Sequence, residues 1–358
     1  MEKNTNTMIQ SKAFRLVKPG EFVESVIQHE LKSGEVVVMT TLASICHADL
    51  RYYTGQRRKE ALKEKLPMAL FHEGIGKITR SNDKSISVGQ NVVIVPTIPG
   101  RLRFLQSTTN RVVDDNYSKD GAFLGSGYDG IAQSQLIMPA ENVIPIPEDV
   151  PDRIALLAEL NSVSLHALEY VSGSLDQGKV AVFGDGPVGF LTAAILSHMY
   201  KIPKNQLLVF GAIPDKLTQF DFATTYLVHD FNFKDYEGVV TVVECTGGRF
   251  SESAINQAIE LIEPQGKIVL MGVSEDRVPI NTRDILEKGI TLFGSSRSTA
   301  KDFAMLMDAF RNKDYQLSLK KLLPEHDDVV RNVEDLKNVM DKTAEHKGWK
   351  KTVIAFEW

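Results

Sequence analysis

The feature that most constrains the fold is the glycine-rich stretch VAVFGDGPVGFL, which joins a strand-like apolar run to a helix-like one. Gly184, Gly186 and Gly189 have the spacing G-x-G-x-x-G. In this pattern the first glycine allows a tight turn, the second lets the backbone approach a pyrophosphate, and the third lets helix and strand pack closely. The helix that starts at Pro187 and Val188 offers free N–H groups to the phosphates. The pattern predicts a dinucleotide site; the alternative is a tight turn without a ligand.

The rest of the chain shows two kinds of secondary-structure pattern. From residue 179 onward, strands and helices alternate, which predicts a parallel sheet covered on both faces. Before about residue 159 the short β runs EVVVMTT, GIGKITR, QNVVIVP and AQSQLIMP predict an irregular barrel or sandwich, and the polar stretch 103–130 predicts a long loop. We therefore predict an α/β protein with a β-rich domain at 1–160, a doubly wound domain at 161–297, and a segment at 298–358 that returns to the first domain.

Composition excludes several classes of protein. The chain has 358 residues, of which 43% are hydrophobic and 24% charged, and a net charge of −5, which argues against a broad nucleic-acid footprint. Two cysteines cannot build a disulfide framework, so a reducing compartment is expected. The N-terminal stretch has no apolar signal core, and Gly, Asp and Pro interrupt the apolar runs. We expect a cytoplasmic protein with no nucleic-acid or membrane partner.

The end of the strand in LLVFGAIPDKL indicates which dinucleotide binds. An NAD site usually carries an acidic residue there, which accepts hydrogen bonds from the adenosine ribose. Gly211 stands at that position, so no carboxylate is expected to repel a 2′-phosphate, and Lys216 could pair with that phosphate. This pattern favours NADP(H). The alternative is that Asp215 reaches back to the ribose and that Lys216 is a solvated surface charge.

A second group of residues could bind a metal. Cys46 follows a strand-like run, His72 and Glu73 are adjacent in LFHEGIG, and Glu159 lies at the expected domain junction. Thiolate, imidazole and carboxylate are zinc ligands, and a catalytic zinc takes about three of them plus an open position. Taken singly, each has a simpler explanation, such as a buried cysteine or a core histidine. Adjacent strand residues point to opposite faces, so the chain must bend if His72 and Glu73 both ligate; Gly74 and Gly76 would permit this.

The order of these motifs resembles the zinc-dependent medium-chain dehydrogenase/reductase family, which includes alcohol and sorbitol dehydrogenases, over nearly the whole chain. Within that family, SICHADLRYYTG, LPMALFHEGIG, AELNSVSLHAL and INTRDILEKGITLFGSSRS resemble the ribulose-5-phosphate reductases. The resemblance implies a GroES-like catalytic domain beside a Rossmann domain. It also implies zinc-dependent reduction of D-ribulose 5-phosphate by NADPH to D-ribitol 5-phosphate, which supplies CDP-ribitol for teichoic acid or capsule synthesis.

The resemblance also assigns roles at the metal site. It implies that Cys46 and His72 bind zinc and that Glu73 and Glu159 complete the sphere, directly or through water. Asp49 would hold the other imidazole nitrogen of His72. The four-cysteine structural zinc lobe of many relatives is absent, so one zinc per chain is expected.

Three positions depart from the family pattern or need comment. Phe71 replaces the usual glycine before the histidine. Ala48 replaces a hydroxyl residue of the usual proton relay, so the protonating group is unassigned and a metal-bound water or Glu73 could serve. Cys245, in ECTGG, is expected to be packed in the nucleotide domain and not reactive.

The substrate phosphate would need cations, and Arg51 and Arg297 are our candidates; the alternative for each is a solvated charge or a contact to the cofactor phosphates. Two rival functions stay open: an NAD-linked polyol dehydrogenase acting on an unphosphorylated sugar alcohol, and a non-catalytic nucleotide-binding relative that has lost the metal. From the resemblance we expect a homodimer or homotetramer. Association with a ribitol-5-phosphate cytidylyltransferase is suggested by pathway logic alone.

Overall fold

The structure is a computed structural model that describes residues 7–100, 113–118, 121–345 and 348–358. These residues form two compact units. The first comprises the described parts of Met1–Glu159, Ser298–Arg311 and Leu322–Trp358, and the second comprises Leu160–Arg297 and Asn312–Lys321. No described helix has the length and apolar character that crossing a membrane would require.

The first half of the chain is mainly β-structure. Its strands are β1 (Thr7–Lys18), β2 (Glu21–Leu31), β3 (Glu35–Ser44), β4 (Met68–Ala69), β5 (Glu73–Ser81), β6 (Asn91–Ile94), β7 (Thr97–Ile98), β8 (Ala122–Phe123), β9 (Leu136–Pro139) and β10 (Val143–Pro145). Its helices are α1 (His47–Tyr53), α2 (Lys59–Lys65), α3 (Asp152–Ala155) and α4 (Ala158–Glu169).

The remaining elements begin with a strand–helix alternation. They are β11 (Lys179–Phe183), α5 (Pro187–His198), β12 (Leu207–Gly211), α6 (Pro214–Leu217), β13 (Thr224–Leu227), β14 (Val239–Glu244), α7 (Ser251–Leu261), β15 (Lys267–Leu270), α8 (Thr282–Lys288) and β16 (Thr291–Gly294). After these come α9 (Ala300–Ala309), α10 (Lys313–Lys320), β17 (Asp328–Val330), α11 (Val333–Glu345) and β18 (Val353–Phe356).

In the first unit β3 is the central strand. The large sheet has the order β10-β6-β5-β3-β18-β17, and β9 also pairs with β3. Antiparallel pairing of β3 with β5 puts Ser44 opposite Glu73, and β18 pairs with the other edge of β3. This register brings residues from the start, the middle and the end of the unit's chain to the end of β3, just before Cys46.

The second unit contains a six-stranded parallel sheet with the order β13-β12-β11-β14-β15-β16. This is the 3-2-1-4-5-6 order of the Rossmann fold, in which the crevice for a dinucleotide lies at the carboxyl ends of the strands where the order reverses. The strands are buried apolar runs, as a sheet covered on both faces requires; all five residues of β12 are buried. The predicted α/β class and parallel sheet are confirmed.

The structure differs from the sequence interpretation in the tail and in the loop. The segment 298–358 does not return to the first unit in one piece, because 312–321 packs within the second. There, Tyr315 donates a hydrogen bond of 2.7 Å to Asn161, and Ser318 lies 2.9 Å from His198. The part of the predicted loop at 103–112 lies outside the described residues, whereas Ala122–Phe123 forms β8, paired with β7. The long hairpin of β1 and β2 was not predicted.

Candidate functional site

Three of the four predicted metal ligands come together in the first unit. Potential ligand atoms of Cys46, His72 and Glu73 all lie within 4.8 Å of one another. Two atoms bound to the same zinc can be at most about 4.6 Å apart, twice the longest usual zinc–ligand bond of about 2.3 Å. The three side chains are therefore close to the separation that one ion needs, and their roles as ligands stay predictions.

The bend that aims His72 and Glu73 together occurs at Phe71. This residue has a φ of 75°, in the left-handed region that a bulky side chain rarely adopts. We expected Gly74 and Gly76 to provide the bend. Instead they allow β5 to pack tightly, since a Cβ at Gly76 would lie 2.4 Å from the carbonyl oxygen of Met39. A phenylalanine in the place of the family glycine thus keeps the glycine-like backbone, at a cost of about 1–3 kcal/mol.

Asp49 ties the two ligand-bearing segments together. Its fully buried carboxylate accepts hydrogen bonds from the backbone N–H groups of Cys46, at 2.9 Å, and Phe71, at 3.2 Å. Its Oδ1 also lies 3.7 Å from Nδ1 of His72. That separation is longer than a hydrogen bond. Asp49 therefore anchors the backbone on either side of the cluster, while its predicted hydrogen bond to the imidazole is not formed in this structure.

Lys351 is a further member of this cluster, which the sequence analysis missed. Its buried ammonium lies 2.9 and 2.8 Å from the two carboxylate oxygens of Glu73, and it donates a hydrogen bond of 2.9 Å to the carbonyl oxygen of Ile45. Ser44 donates a further hydrogen bond to Glu73. Both oxygens of Glu73 are thus engaged by the protein. Direct ligation by Glu73 would require at least one of these interactions to be exchanged for the metal.

The charges at the site suit a bound cation. Asp49, Glu73 and Glu159 are all buried, and Lys351 is the buried cation that contacts Glu73. Burial raises the pKa of Asp49, and burial together with the neighbouring carboxylates raises the pKa of Glu159 to about 7. Burial opposes a charged His72, yet Asp49 and Cys46 raise its pKa well above the ordinary value. A metal ligand must be deprotonated, and with His72 neutral the three carboxylates around the Lys351 ammonium would carry an excess of negative charge that a divalent ion offsets.

The two glutamates of the cluster differ in their electrostatics. Burial alone would raise the pKa of Glu73, but Lys351 and His72 hold it below its ordinary value. Glu159, in the first turn of α4, is not part of the group of ligand atoms within 4.8 Å, although its pKa responds to His72, Glu73 and Lys351. Glu73 is accordingly an acid whose pKa is set mainly by its paired cations, whereas burial dominates the pKa of Glu159.

Other side chains lie near His72 or near the residues that follow Cys46. The ring of Phe123 lies 5.3 Å from that of His72. Partial burial and the charges of Arg51 and Arg57 lower the pKa of His47, which places both guanidinium groups near this imidazole, directly after Cys46. Arg57 also stacks on the ring of Tyr52, at 4.7 Å.

Arg297, our second candidate for the substrate phosphate, belongs to the other unit and has a φ of 62°. Its role stays a prediction.

In the second unit the glycine-rich turn has the geometry that its motif predicts. Gly184 has a φ of 128°, and a Cβ at Gly189 would lie 2.0 Å from the carbonyl oxygen of Gly184. Pro187 starts α5, with Gly186 at the capping position before it. A Cβ at Gly186 would meet nothing within 4 Å, which leaves open space at the helix start. That space suits a pyrophosphate approaching the backbone.

The end of β12 differs from our expectation in one respect. Gly211 brings no carboxylate, but the side chain of Asp185 does: its Oδ2 would lie 2.9 Å from a Cβ built at Gly211. The sequence analysis missed Asp185 because it stands in the glycine motif, 26 residues before Gly211, and not at the strand end. Lys216 is half-buried in α6, and Asp215 is exposed.

Cys245 has the surroundings of a packed residue. Burial of its thiol raises the pKa to about 12, and the sulfur lies 3.6 Å from Oγ1 of Thr192. A thiol with so high a pKa is almost entirely protonated at neutral pH and is a poor nucleophile or metal ligand.

Comparisons with known proteins agree with this arrangement. Residues 32–148 match the alcohol dehydrogenase GroES-like domain, and residues 216–312 match the zinc-binding dehydrogenase family. The chain is 36% identical to a ribulose-5-phosphate reductase of Bacillus spizizenii, over 97% of this chain and 99% of that protein. It is 33% identical to one of Streptococcus pneumoniae, over 94% of this chain and 95% of that protein.

A solved structure gives the same result. The crystal structure of S. aureus TarJ in complex with NADPH superimposes with a TM-score of 0.83 at 31% identity, covering 98% of this chain and all of that one. The GroES-like and Rossmann assignments are confirmed. With its matched domains and full-length relatives, this chain belongs to the zinc-dependent medium-chain dehydrogenase/reductase family.

Proposed function

We propose that this protein reduces D-ribulose 5-phosphate to D-ribitol 5-phosphate, with NADPH as hydride donor and one zinc ion per chain. The observation that carries the substrate assignment is the similarity to ribulose-5-phosphate reductases along almost the entire chain. The reaction converts the C2 ketone, NADPH and one proton into a secondary alcohol and NADP⁺. The product has the chemistry required by a cytidylyltransferase that makes CDP-ribitol.

Cys46 and His72 would hold the zinc ion, together with a carboxylate from Glu159 or Glu73. Bound zinc supplies Lewis-acid polarisation of the ketone oxygen and stabilises the charge that develops there. Asp49 fixes the backbone beside both ligands and so preorganises the pair. Lys351 pairs with the carboxylate of Glu73, so the metal would have to displace this ammonium for Glu73 to ligate directly.

The chain's own residues also limit the possible proton donors. Ala48 has no hydroxyl to pass a proton. Because Lys351 and His72 depress the pKa of Glu73, that carboxylate is ionised at neutral pH and is a poor acid. These observations argue against Glu73 as the protonating group.

The phosphate of the substrate would be bound by guanidinium groups. Arg51 lies in the last turn of α1, which begins directly after Cys46, and it shares the neighbourhood of His47 with Arg57. A planar guanidinium can grip two phosphate oxygens, and charge-assisted hydrogen bonds offset the desolvation of a dianion. Arg297 is the second candidate. Binding energy from the phosphate would serve to orient C2 for hydride transfer.

Substitution by alanine of the arginine that binds the phosphate should lower kcat/KM for ribulose 5-phosphate. The expected decrease corresponds to a loss of roughly 2–5 kcal/mol of transition-state stabilisation. The measurement compares ribulose 5-phosphate with unphosphorylated ribulose in the wild type, Arg51→Ala and Arg297→Ala. Loss of the preference in one variant identifies the phosphate ligand. If the wild type itself does not discriminate between the two sugars, the polyol dehydrogenase alternative gains.

Assembly and location are also inferred. We propose a homodimer or homotetramer in the cytoplasm, a compartment that suits two free cysteines. Association with the cytidylyltransferase that consumes ribitol 5-phosphate rests on the chemistry of the product alone.

The direct test of the proposal is NADPH oxidation by the purified protein with D-ribulose 5-phosphate, before and after removal of metal by a chelator. We expect turnover that disappears on chelation and returns with zinc. Turnover that is indifferent to chelation, or faster with an unphosphorylated sugar, would refute the assignment.

A further inference from the structure

A carboxylate occupies the turn that follows β12. Oδ2 of Asp185 accepts hydrogen bonds from the backbone N–H groups of Ala212 and Ile213, both at 2.8 Å. Consecutive N–H groups that converge on one point form a concave site for anions. In this structure the anion in that site is a side chain of the protein itself.

This carboxylate stands where an NAD-type acid would stand. A Cβ built at Gly211 would lie 2.7 Å from the Cβ of Asp185 and 2.9 Å from its Oδ2. An acidic side chain extending from the strand end would therefore occupy the same space. The glycine-rich turn supplies the carboxylate that the strand end lacks.

Two physical effects follow for the ribose of a bound adenine dinucleotide. A 2′-phosphate, which is a dianion near neutral pH, would meet a like charge and would find two N–H donors already engaged. A free 2′-hydroxyl would meet an acceptor, as it does in NAD-binding relatives of this fold. Both effects lower the preference for NADPH over NADH.

We propose that Asp185 is a specificity-determining residue for the adenosine 2′ position, and that its carboxylate restrains the enzyme's preference for NADP(H). This inference rests on the proposed function, because it presumes that the turn binds an adenine dinucleotide. Removal of the carboxylate frees the N–H groups of Ala212 and Ile213 for the phosphate and removes the competing charge.

The test is calorimetric binding of NADP⁺ and NAD⁺ to the wild type, Asp185→Ala and Asp185→Asn. The ratio of Kd for NAD⁺ to Kd for NADP⁺ should rise at least about tenfold in Asp185→Ala, because one charge-assisted hydrogen bond changes Kd by about that factor. Asp185→Asn should give a smaller rise, because its amide oxygen can still accept from the turn. This isosteric variant also provides the test if the alanine variant does not fold.

Asp215→Ala is the matched control. It removes an exposed carboxylate four residues beyond Gly211 that accepts no hydrogen bond from Ala212 or Ile213. Its ratio should stay within about twofold of wild type, since an exposed charge is largely screened. An unchanged or lower ratio in both Asp185 variants overturns the inference, as does an equal rise in Asp215→Ala. If the wild type binds both dinucleotides but does not reduce ribulose 5-phosphate, the proposed function is wrong. The ratio of the two Kd values still tests the inference about Asp185 in that case.

Discussion

The candidate metal centre and the nucleotide turn are built in opposite ways. The turn is local: Gly184 to Gly189 are consecutive, and the strand end it approaches belongs to the next strand along the chain. The candidate metal centre draws on positions 44, 46, 49, 72, 73, 159 and 351, which are distant in the chain. The pairing of β3 with β5 and β18 brings the segments around Ser44, Glu73 and Lys351 together. The turn is held by backbone geometry, whereas the centre is held by buried charge.

This difference determines what each region tolerates. Substitution of a glycine in the turn is a steric problem, as at Gly189, where a Cβ would lie 2.0 Å from a carbonyl oxygen. Substitution in the centre is an electrostatic problem, because removal of one charge leaves its partner buried without compensation. Variants at the two sites test that contrast.

The largest effect is expected at Lys351. Lys351→Met keeps most of the side-chain volume but leaves the fully buried Glu73 without its cation, and should destabilise the fold by about 3–5 kcal/mol. Urea denaturation of the metal-free protein measures this. The matched control is Lys337→Met, which breaks the exposed ion pair with Asp341 and should cost far less. An equal loss of unfolding free energy in the two variants would show that the buried ion pair stabilises the fold no more than the exposed one.

The second effect concerns how the free energy of unfolding of the metal-free protein depends on pH. The pKa of Glu159 is raised from 4.5 to about 7 by burial, so the folded state binds a proton that the unfolded state releases. The resulting stability is present below pH 4.5 and is lost as pH rises through 7, by up to about 3 kcal/mol. After a chelator has removed the metal, the free energy of unfolding of the wild type should decline between about pH 5 and about pH 8. That of Glu159→Gln should not show this decline. A decline of the same size in both proteins would assign it to other groups.

The smallest effect is expected at the strand end. A Cβ at Gly211 would lie 2.7 Å from Asp185 and 2.8 Å from Leu217, so Gly211→Asp alone should be crowded. The double variant Gly211→Asp with Asp185→Gly relieves the contact with Asp185 and returns a carboxylate to the same space. Its ratio of kcat/KM for NADPH to kcat/KM for NADH should therefore stay near the wild-type value, whereas Asp185→Gly alone should shift that ratio toward NADPH by on the order of tenfold. Steady-state rates with NADPH and NADH measure the shift. A double variant that prefers NADPH as strongly as Asp185→Gly alone would show that carboxylates at positions 185 and 211 do not share this space.

Short-range sequence patterns made much of the fold predictable. The parallel sheet follows from apolar strands that alternate with helices, and the geometry of the glycine turn follows from the six residues Gly184 to Gly189. The β1–β2 hairpin was missed although it is among the longest pairings in the first unit. The placement of 312–321 could not be read from the sequence, because it depends on partners such as Asn161 and His198, far away in the chain.

The sequence indicated which types of residue could form the site, but not the long-range contacts that surround them. Cys46, His72 and Glu73 were chosen for their ligand chemistry, and the fold brings them together. The sequence did not indicate Lys351 as a site residue, because it lies 278 residues from Glu73 in a lysine-rich stretch that is typical of solvated surface. The bend at Phe71 was assigned to the following glycines, since a phenylalanine at positive φ has no signature in one sequence.

The most direct measurement of the central claim is the zinc content of the purified protein by elemental mass spectrometry. The wild type should hold about one zinc per chain, Cys46→Ala should hold almost none, and Cys245→Ala, which removes the other cysteine, should keep the full amount. Circular dichroism of all three shows whether the fold survives. A Cys46→Ala protein that folds and retains its zinc, or a wild type with two zinc ions per chain, would contradict the assignment of this centre.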